Sequence, residues 1–360
     1  MIYTSAKSQF SRPRYSRTLS NLRPYQTGSF VPSIALRLDR TEPPITYRLE
    51  SEVVGSAMHR YPDQYALQEA LVSRYEIGTE RILITAGADE AIDRMCRAFL
   101  PGEDAELLTI RPTFEMIAHY SRLSGATLRS AFWLGSEFPL EEIGSLHSER
   151  TKLLVLVSPN NPTGAAIPTT SIVELATRFE NTPILVDLAY VEFSSEDPTR
   201  ELLQFDNIIL IRTFSKAYGL PGIRIGYALG NPDFLRAMLT AGGPYSVTSH
   251  SLSVALNALK ANDLSLQNYV RAIQRERENF CELLSRLDVN AIRSEANFVL
   301  IETLDGVIFD RIMEEFGIQT RAFPHDAELV NMRRITLPGD RNAFNKLQQA
   351  IITAFTALRA

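Results

Sequence analysis

The chain has 360 residues, with 37 lysines and arginines against 42 aspartates and glutamates, and a formal net charge of −5. A hydrophobic fraction of 45% and a charged fraction of 22% are typical of globular proteins and exclude extensive disorder. The acidic balance argues against a nucleic-acid partner, and no apolar run approaches the roughly 18 residues that would suggest a membrane span. At this length we expect about two domains.

From residue 64 the sequence alternates between helical and strand patterns. We predict helices at 64–75, 88–99, 113–124 and 171–179, and strands at 81–85, 105–110, 152–158, 184–187 and 207–212. The strands are short and apolar, as expected when both faces of a sheet are covered. This alternation predicts an α/β fold with a mostly parallel sheet.

After about residue 240 the pattern changes to a smaller α+β unit. We predict helices at 249–261, 264–287, 306–316 and 341–358, and strands at 298–302 and 334–337. Gly242, Gly243 and Pro244 form a chain-breaking junction. We therefore expect an N-terminal arm at 1–44, a large α/β domain at 45–243 and a small α+β domain at 244–360.

Two further features concern the location of the protein in the cell. The first 38 residues contain no acid, which is a property of organellar transit sequences, although an ordered or partly ordered arm is our expectation. Cys96 and Cys281 form neither a disulfide framework nor a metal-binding spacing. Free thiols fit a reducing compartment, so we predict a cytoplasmic protein with no metal site.

The chain contains only five lysines, so chemistry that needs an amine has few candidates: Lys7, Lys152, Lys216, Lys260 and Lys346. Lys216 follows the predicted strand 207–212 and lies among small and apolar residues. Desolvation makes a lysine amine more nucleophilic, although most lysines are simply solvated. Arg224, eight residues further on, offers a bidentate fork for a phosphate.

Three other segments follow predicted strands. Residues 85–90 open a helix whose free N–H groups suit a phosphate, but such junctions are often only turns. Residues 158–164 form a turn at a strand end, where ligands of open α/β sheets bind, but a surface turn is an equal alternative. Asp187 ends an apolar strand and needs a cationic or N–H partner, unless it only caps a helix. Together, the four segments fit the chemistry of pyridoxal phosphate.

The order of four motifs carries a family resemblance that runs from about Asn21 to the C-terminus. Asn-Asn-Pro-Thr-Gly, Asp-x-Ala-Tyr, Ser-Lys and Gly-x-Arg-x-Gly follow one another at residues 160–164, 187–190, 215–216 and 222–226. This arrangement resembles the fold-type I pyridoxal-phosphate aminotransferases. Gly-Ala-Asp-Glu at 87–90, Arg-Tyr-Pro at 60–62 and Leu-Arg-Pro-Tyr-Gln at 22–26 are similar to the histidinol-phosphate aminotransferases.

The resemblance implies roles at the cofactor. Lys216 would form the Schiff base and move the Cα proton, and Asp187 would keep the pyridine nitrogen protonated. Asn161 and Tyr190 would hydrogen-bond the ring 3-oxygen. The remaining positions implied at the cofactor are Ala88, Asp89, Thr213, Ser215 and Arg224 at its phosphate, Phe114 stacked on its ring, and Tyr61 at the phosphate of the neighbouring subunit's cofactor.

The resemblance also implies a substrate site. Arg334 would grip the α-carboxylate, with Asn161 beside it, although Arg333 is a rival for that role. Arg321 and Tyr25 match positions that bind a distal phosphate. The expected partners are an amino-acid donor and a 2-oxo-acid acceptor, in a homodimer with shared active sites.

Two departures bear on the substrate. Leu188 stands where glutamate is common, and residues 39–43 read Asp-Arg-Thr-Glu-Pro where asparagines are usual at the substrate entrance. We therefore expect ping-pong transamination of an L-amino acid that is either similar to histidinol phosphate or specific to a specialised biosynthetic pathway. Two alternatives stay open: a decarboxylase resembling threonine-phosphate decarboxylases, and a non-catalytic binding protein on the same fold.

Overall fold

The computed structural model describes residues 34–42, 59–100, 102–261 and 264–358. Its strands are β1 (Leu36–Arg37), β2 (Ile82–Thr85), β3 (Glu106–Arg111), β4 (Thr127–Phe132), β5 (Thr151–Val157), β6 (Ile184–Asp187), β7 (Ile208–Thr213), β8 (Gly226–Gly230), β9 (Phe298–Glu302), β10 (Ile318–Gln319), β11 (Arg321–Ala322) and β12 (Met332–Thr336). Its helices are α1 (Tyr65–Tyr75), α2 (Gly87–Phe99), α3 (Glu115–Leu123), α4 (Leu140–Leu146), α5 (Thr169–Arg178), α6 (Thr199–Leu202), α7 (Pro232–Ala241), α8 (Ser249–Lys260), α9 (Leu264–Arg286), α10 (Gly306–Glu315) and α11 (Arg341–Ala357).

Every element predicted from the sequence is present, with ends that differ by at most two residues. Several elements were missed, notably β4, α4, β8 and α7. Strand β8 begins and ends with glycine, which made it resemble a loop. Helix α7 has clear start signals, because Asn231 caps it and Pro232 occupies its first position.

Seven strands form the main sheet, in the order β2-β8-β7-β6-β5-β3-β4. Strand β8 runs antiparallel to both of its neighbours, and the other pairs in this sheet are parallel. The predicted mostly parallel sheet is thus confirmed. As a consequence, the carboxyl ends of β2, β3, β5, β6 and β7 meet the amino end of β8 at a single edge.

The strands of this sheet bury alternate side chains on its two faces. Leu154 and Leu156 of β5 belong to one buried cluster, together with residues of α1, α5 and α8. Val155 and Val157 of the same strand belong to another cluster, together with residues of α2 and α7. Helices therefore cover both faces, as the continuous apolar runs in the strands predicted.

A second body of structure forms around a three-stranded antiparallel sheet, β11-β12-β9. Helices α9, α10 and α11 bury their apolar faces against it. Strand β1, from the predicted arm, pairs with β10 in this region. Helix α8 lies beyond residue 243 but packs with α1 and the main sheet. The domain boundaries stay predictions.

No helix in the described ranges combines the length and the apolar character needed to cross a membrane.

Candidate active site

The edge where the parallel strands end gathers the segments that the sequence singled out. Asp187 is the last residue of β6, and Thr213 is the last residue of β7. The turn that contains Asn161 follows β5, which lies on one side of β6. Lys216 follows β7, which lies on the other side of β6. Strand order therefore brings together side chains that lie more than 50 residues apart in sequence.

Lys216 lies half-buried at this edge and points at polar groups. Its Nζ donates a hydrogen bond of 2.5 Å to Thr41 Oγ1 and lies 5.4 Å from the centroid of the Tyr190 ring. Lys152 and Lys260, by contrast, are exposed, and Lys346 lies in α11 of the second body. Among the lysines that the structure describes, Lys216 alone faces this edge.

Asp187 is a buried carboxylate, with 4% of its surface exposed. Burial raises its pKa to about 7, because a carboxylate removed from water resists ionisation. The Ala189 N–H donates to its Oδ1 at 3.0 Å, and this bond and the charge of Lys216 oppose the rise, whereas Asp89 adds to it. A cationic ring nitrogen is the kind of partner that such a carboxylate needs.

Tyr190 and Asn161 meet beside this carboxylate. Asn161 Nδ2 donates to the Tyr190 hydroxyl at 3.4 Å, so the two residues predicted to bind the ring 3-oxygen lie side by side. The Tyr190 ring is buried edge-on against Phe298, with centroids 5.1 Å apart. This packing fixes the direction in which the phenol points.

The start of α2 and the start of β8 form a close backbone contact. A Cβ at Gly226 would lie 2.7 Å from the carbonyl carbon of Gly87, so the contact requires glycine. Gly87 itself adopts a φ of 81°. The first N–H groups of α2 and the positive end of its dipole face this point, where an anion is favoured.

Side chains from the end of β7 and from the segment that joins it to β8 lie around the start of α2. The hydroxyls of Thr213 and Ser215 lie 3.0 Å apart, and both residues are buried. Arg224 Nη2 donates to Asp89 Oδ2 at 3.0 Å, and this ion pair is about half exposed. The predicted phosphate-binding positions therefore converge, with Ala88 in the first turn of the helix.

The adjacent arginines of β12 point to different neighbours. Arg334 is buried, and its Nη1 donates to Asn161 Oδ1 at 2.5 Å while its Nη2 donates to the carbonyl of Asp39 at 2.7 Å. Arg333 instead forms two hydrogen bonds to Asp310, at 2.8 and 2.9 Å. Of these two rivals, Arg334 is the one that faces the site.

Other predicted residues lie further out. Arg321 pairs with Glu115 at 3.0 Å, and β11 places it opposite Arg334. Phe114 is half-buried just before α3. Tyr61 is 75% exposed and stacks on Tyr245, with ring centroids 4.2 Å apart. Tyr25 falls outside the described residues.

Sequence reasoning missed one residue, Thr41. It was read only as part of a segment that departs from a family pattern. In the structure it is 1% exposed, contacts Lys216 and Tyr190, and has a φ of 57°. No sequence signal marks a threonine with a left-handed backbone, because that conformation is unfavourable for a β-branched residue.

These groups fit pyridoxal 5′-phosphate. Lys216 offers an amine for the aldehyde, and Asp187 offers a buried carboxylate for the ring nitrogen. The α2 amino terminus, two hydroxyls and Arg224 offer donors for a phosphate. Fold and site together define an α/β enzyme of the fold-type I pyridoxal-phosphate class.

Comparisons with known proteins narrow this class. A family model for aminotransferase class I and II matches residues 36–351. Histidinol-phosphate aminotransferase 1 of Legionella pneumophila (strain Lens) is 30% identical over 317 residues, which cover 83% of this chain and 84% of that protein. Histidinol-phosphate aminotransferase 2 of Oceanobacillus iheyensis is 31% identical over 339 residues, which cover 84% and 88%.

Two solved structures show the same fold. Histidinol-phosphate aminotransferase from Sinorhizobium meliloti, in complex with pyridoxal-5′-phosphate, superposes with a TM-score of 0.83 at 24% identity and covers 98% of this chain and 99% of that chain. A mutant aspartate aminotransferase from Thermus thermophilus gives a TM-score of 0.77 at 22% identity, over 95% and 99% of the chains.

The chain belongs to the aminotransferase class I and II family. It is a pyridoxal-phosphate-dependent aminotransferase, so the predicted fold, enzyme class and cofactor are confirmed. The decarboxylase and the non-catalytic alternatives are not favoured by any of these matches.

Proposed function

We propose that this aminotransferase moves an amino group between an L-amino acid and a 2-oxo acid in two half-reactions, with Lys216 as the group that transfers the proton. One observation carries the proposal: the Lys216 amine faces Tyr190 at the sheet edge where Asp187 is buried. When bound, pyridoxal phosphate supplies an aldehyde carbon and an electron-withdrawing ring. The chain supplies the remaining groups.

Each side chain has a distinct task in this proposal. The Lys216 amine would hold the cofactor through its aldehyde carbon and would move the proton of the substrate Cα. Asp187 holds a proton on the ring nitrogen, and its own burial places it out of reach of competing water. Asn161 and Tyr190, already joined by a hydrogen bond, orient the 3-oxygen of the ring.

Arg334 is the proposed anchor for the substrate carboxylate. It is buried at the sheet edge, and its hydrogen bond to Asn161 places its guanidinium beside the group that orients the ring. A planar fork of donors matches a carboxylate in two parallel hydrogen bonds. The ring of Phe298, 5.2 Å from its guanidinium carbon, supports the fork from one side.

For the donor, we propose an amino compound related to histidinol phosphate or a specialised biosynthetic amino acid. The similarity to histidinol-phosphate aminotransferases supports a donor related to histidinol phosphate. Arg321 supports an anionic distal group, since its partner Glu115 is 56% exposed and can be displaced.

We further propose a cytoplasmic homodimer with shared active sites. Tyr61 supports the dimer: it is exposed and stacked on Tyr245, so its phenol is available to a second subunit. Cys96 and Cys281 are free thiols, which supports a reducing compartment such as the cytoplasm.

A donor screen tests the proposed reaction. Cofactor-loaded protein is mixed with L-histidinol phosphate and with each common L-amino acid, and the absorbance of the bound cofactor is followed. We expect at least one donor to convert the cofactor to its amine form, with release of one equivalent of carbonyl product. Release of carbon dioxide without formation of a carbonyl product would contradict the proposal, and so would a failure of every donor to convert the cofactor.

A further inference from the structure

We propose that the Thr41 hydroxyl is a catalytic group that holds the Lys216 amine in its proton-transfer position. This inference depends on the proposed role of Lys216. It starts from the direct contact between the two side chains, with Lys216 Nζ donating to Thr41 Oγ1 at 2.5 Å. Thr41 thus touches the reacting nitrogen itself.

The direction of the hydrogen bonds shows that the Thr41 oxygen acts as an acceptor in this contact. A hydroxyl has a single hydrogen, and that of Thr41 is directed to the carbonyl of Arg40 at 2.6 Å. The oxygen lone pairs are therefore left to accept from Lys216 Nζ and from the Tyr190 phenol, whose oxygen lies 3.3 Å away. An amine that donates one N–H to Thr41 keeps its own lone pair free to take a proton.

The backbone of Thr41 adopts an unfavourable, left-handed conformation. Its φ of 57° is uncommon for any residue but glycine, asparagine and aspartate, and is least suited to a β-branched side chain. Such strained positions persist where the surrounding structure over-determines them, and they cluster at functional sites. Glycine or asparagine would fit this backbone more easily, so the conformation alone does not explain a threonine.

Two buried side chains from the second body fix the Thr41 backbone. Its N–H donates to Thr336 Oγ1 at 3.1 Å, and its carbonyl accepts from Asn297 Nδ2 at 3.3 Å. Both partners have no exposed surface. Asn297, just before β9, and Thr336, two residues after Arg334, thereby place the hydroxyl beside the lysine.

The test compares Thr41→Val, which removes the hydroxyl and keeps the branched shape, with Thr41→Ser, which keeps the hydroxyl and removes the methyl group. The first readout uses cofactor-free protein: the rate at which added pyridoxal phosphate becomes attached to Lys216, followed by absorbance. This rate is taken on its high-pH plateau, where the charge of the amine no longer matters and only its orientation does. The second readout is the single-turnover rate with a Cα-deuterated donor.

We expect Thr41→Val to lower both rates about tenfold, the effect of losing one hydrogen bond of ordinary strength. Its Cα-deuterium isotope effect should rise, because proton transfer becomes more rate-limiting. Thr41→Ser should stay within about twofold of the unaltered protein on both readouts. Equal rates for the two variants, whether both normal or both slow, would overturn the proposal.

The same experiment separates failure of this inference from failure of the proposed function. If the unaltered protein attaches the cofactor at Lys216 and transaminates while the two variants agree, only the role of Thr41 is wrong. If the unaltered protein attaches no cofactor at Lys216, the proposed role of the lysine fails and the role of Thr41 fails with it. Thermal unfolding of both variants confirms that each is folded before rates are compared.

Discussion

Arg334 Nη1 donates to Asn161 Oδ1 over 2.5 Å, which joins strand β12 to the turn that follows β5. The bond couples the proposed carboxylate anchor to the residue proposed to orient the cofactor ring. Under this proposal, substrate binding and ring orientation share one polar contact. A substrate carboxylate that engages Arg334 would arrive next to the reacting carbon.

The two arginines of β12 provide a matched pair of variants. Arg334→Lys should raise KM for carboxylate-bearing substrates by about 10- to 100-fold, because a lysine cannot form the bidentate contact. Arg333→Lys should leave KM unchanged and lower the free energy of unfolding instead, since Arg333 binds Asp310. Steady-state kinetics and denaturant unfolding of both variants check this. An equal rise in KM for both would contradict the assignment of Arg334.

Asp187 should make the cofactor-free protein sensitive to pH. Its pKa is raised from 3.8 to about 7 in the folded state, so between these values the folded chain holds a proton that the unfolded chain has lost. Stability therefore falls as the pH rises through this window. Asp187→Asn, which cannot ionise, should flatten that slope in thermal unfolding of cofactor-free protein.

Glu276 is the matched control for Asp187. Burial also raises its pKa, to about 7, but it lies in α9 and accepts a hydrogen bond from the Gly339 N–H. Glu276→Gln should likewise flatten the pH dependence of stability while transamination continues. Asp187→Asn should reduce kcat by about 100-fold or more, as expected when one electrostatic stabiliser is lost. Normal turnover by Asp187→Asn would show that the carboxylate is not needed at the ring.

The Arg321–Glu115 ion pair tests the distal group of the substrate. Partly exposed pairs of this kind contribute little, about 0–1 kcal/mol, so a phosphate can displace Glu115. Arg321→Gln should raise KM for a phosphate-bearing donor about tenfold or more, and Glu115→Gln should lower it or leave it unchanged. KM for a donor without a distal anion serves as the control and should not move with either variant. If Arg321→Gln affects both kinds of donor equally, Arg321 does not read the distal group.

Tyr61 tests the shared active site. If its phenol reaches the cofactor phosphate of a second subunit, Tyr61→Phe should weaken cofactor binding by about fivefold to tenfold, the value of one hydrogen bond. Tyr65→Phe, at a neighbouring phenol that is 63% exposed, is the control and should bind normally. Cofactor titration and sedimentation measure affinity and oligomeric state together. A fully active monomer, or an unchanged cofactor affinity in Tyr61→Phe, would rule out the proposed shared active site.

The sequence predicted those parts of the site that depend on strand ends. Asp187 and Lys216 each follow a run of apolar residues, and parallel strands must end at the same edge, so their convergence could be expected. Arg334 could be named only beside its rival Arg333, because strand alternation sends neighbouring side chains to opposite faces and the sequence does not say which face is inward.

Thr41 illustrates why other parts of the site could not be predicted from the sequence. Its position depends on hydrogen bonds to Thr336 and Asn297, which lie more than 250 residues away in sequence. Its left-handed backbone contradicts local preference, so a reading based on propensity passes over it. Strand β8 was missed for a related reason. Its first glycine, Gly226, allows the close contact with Gly87, but in the sequence alone a strand bounded by two glycines resembles a loop.

The most direct test of the account is to identify the lysine that holds the cofactor. Protein loaded with pyridoxal phosphate is reduced with borohydride, digested, and analysed by mass spectrometry for the pyridoxyl adduct. We expect one adduct, on Lys216, and none in Lys216→Ala. An adduct on Lys7, Lys152, Lys260 or Lys346, or turnover by Lys216→Ala, would contradict the assignment of Lys216.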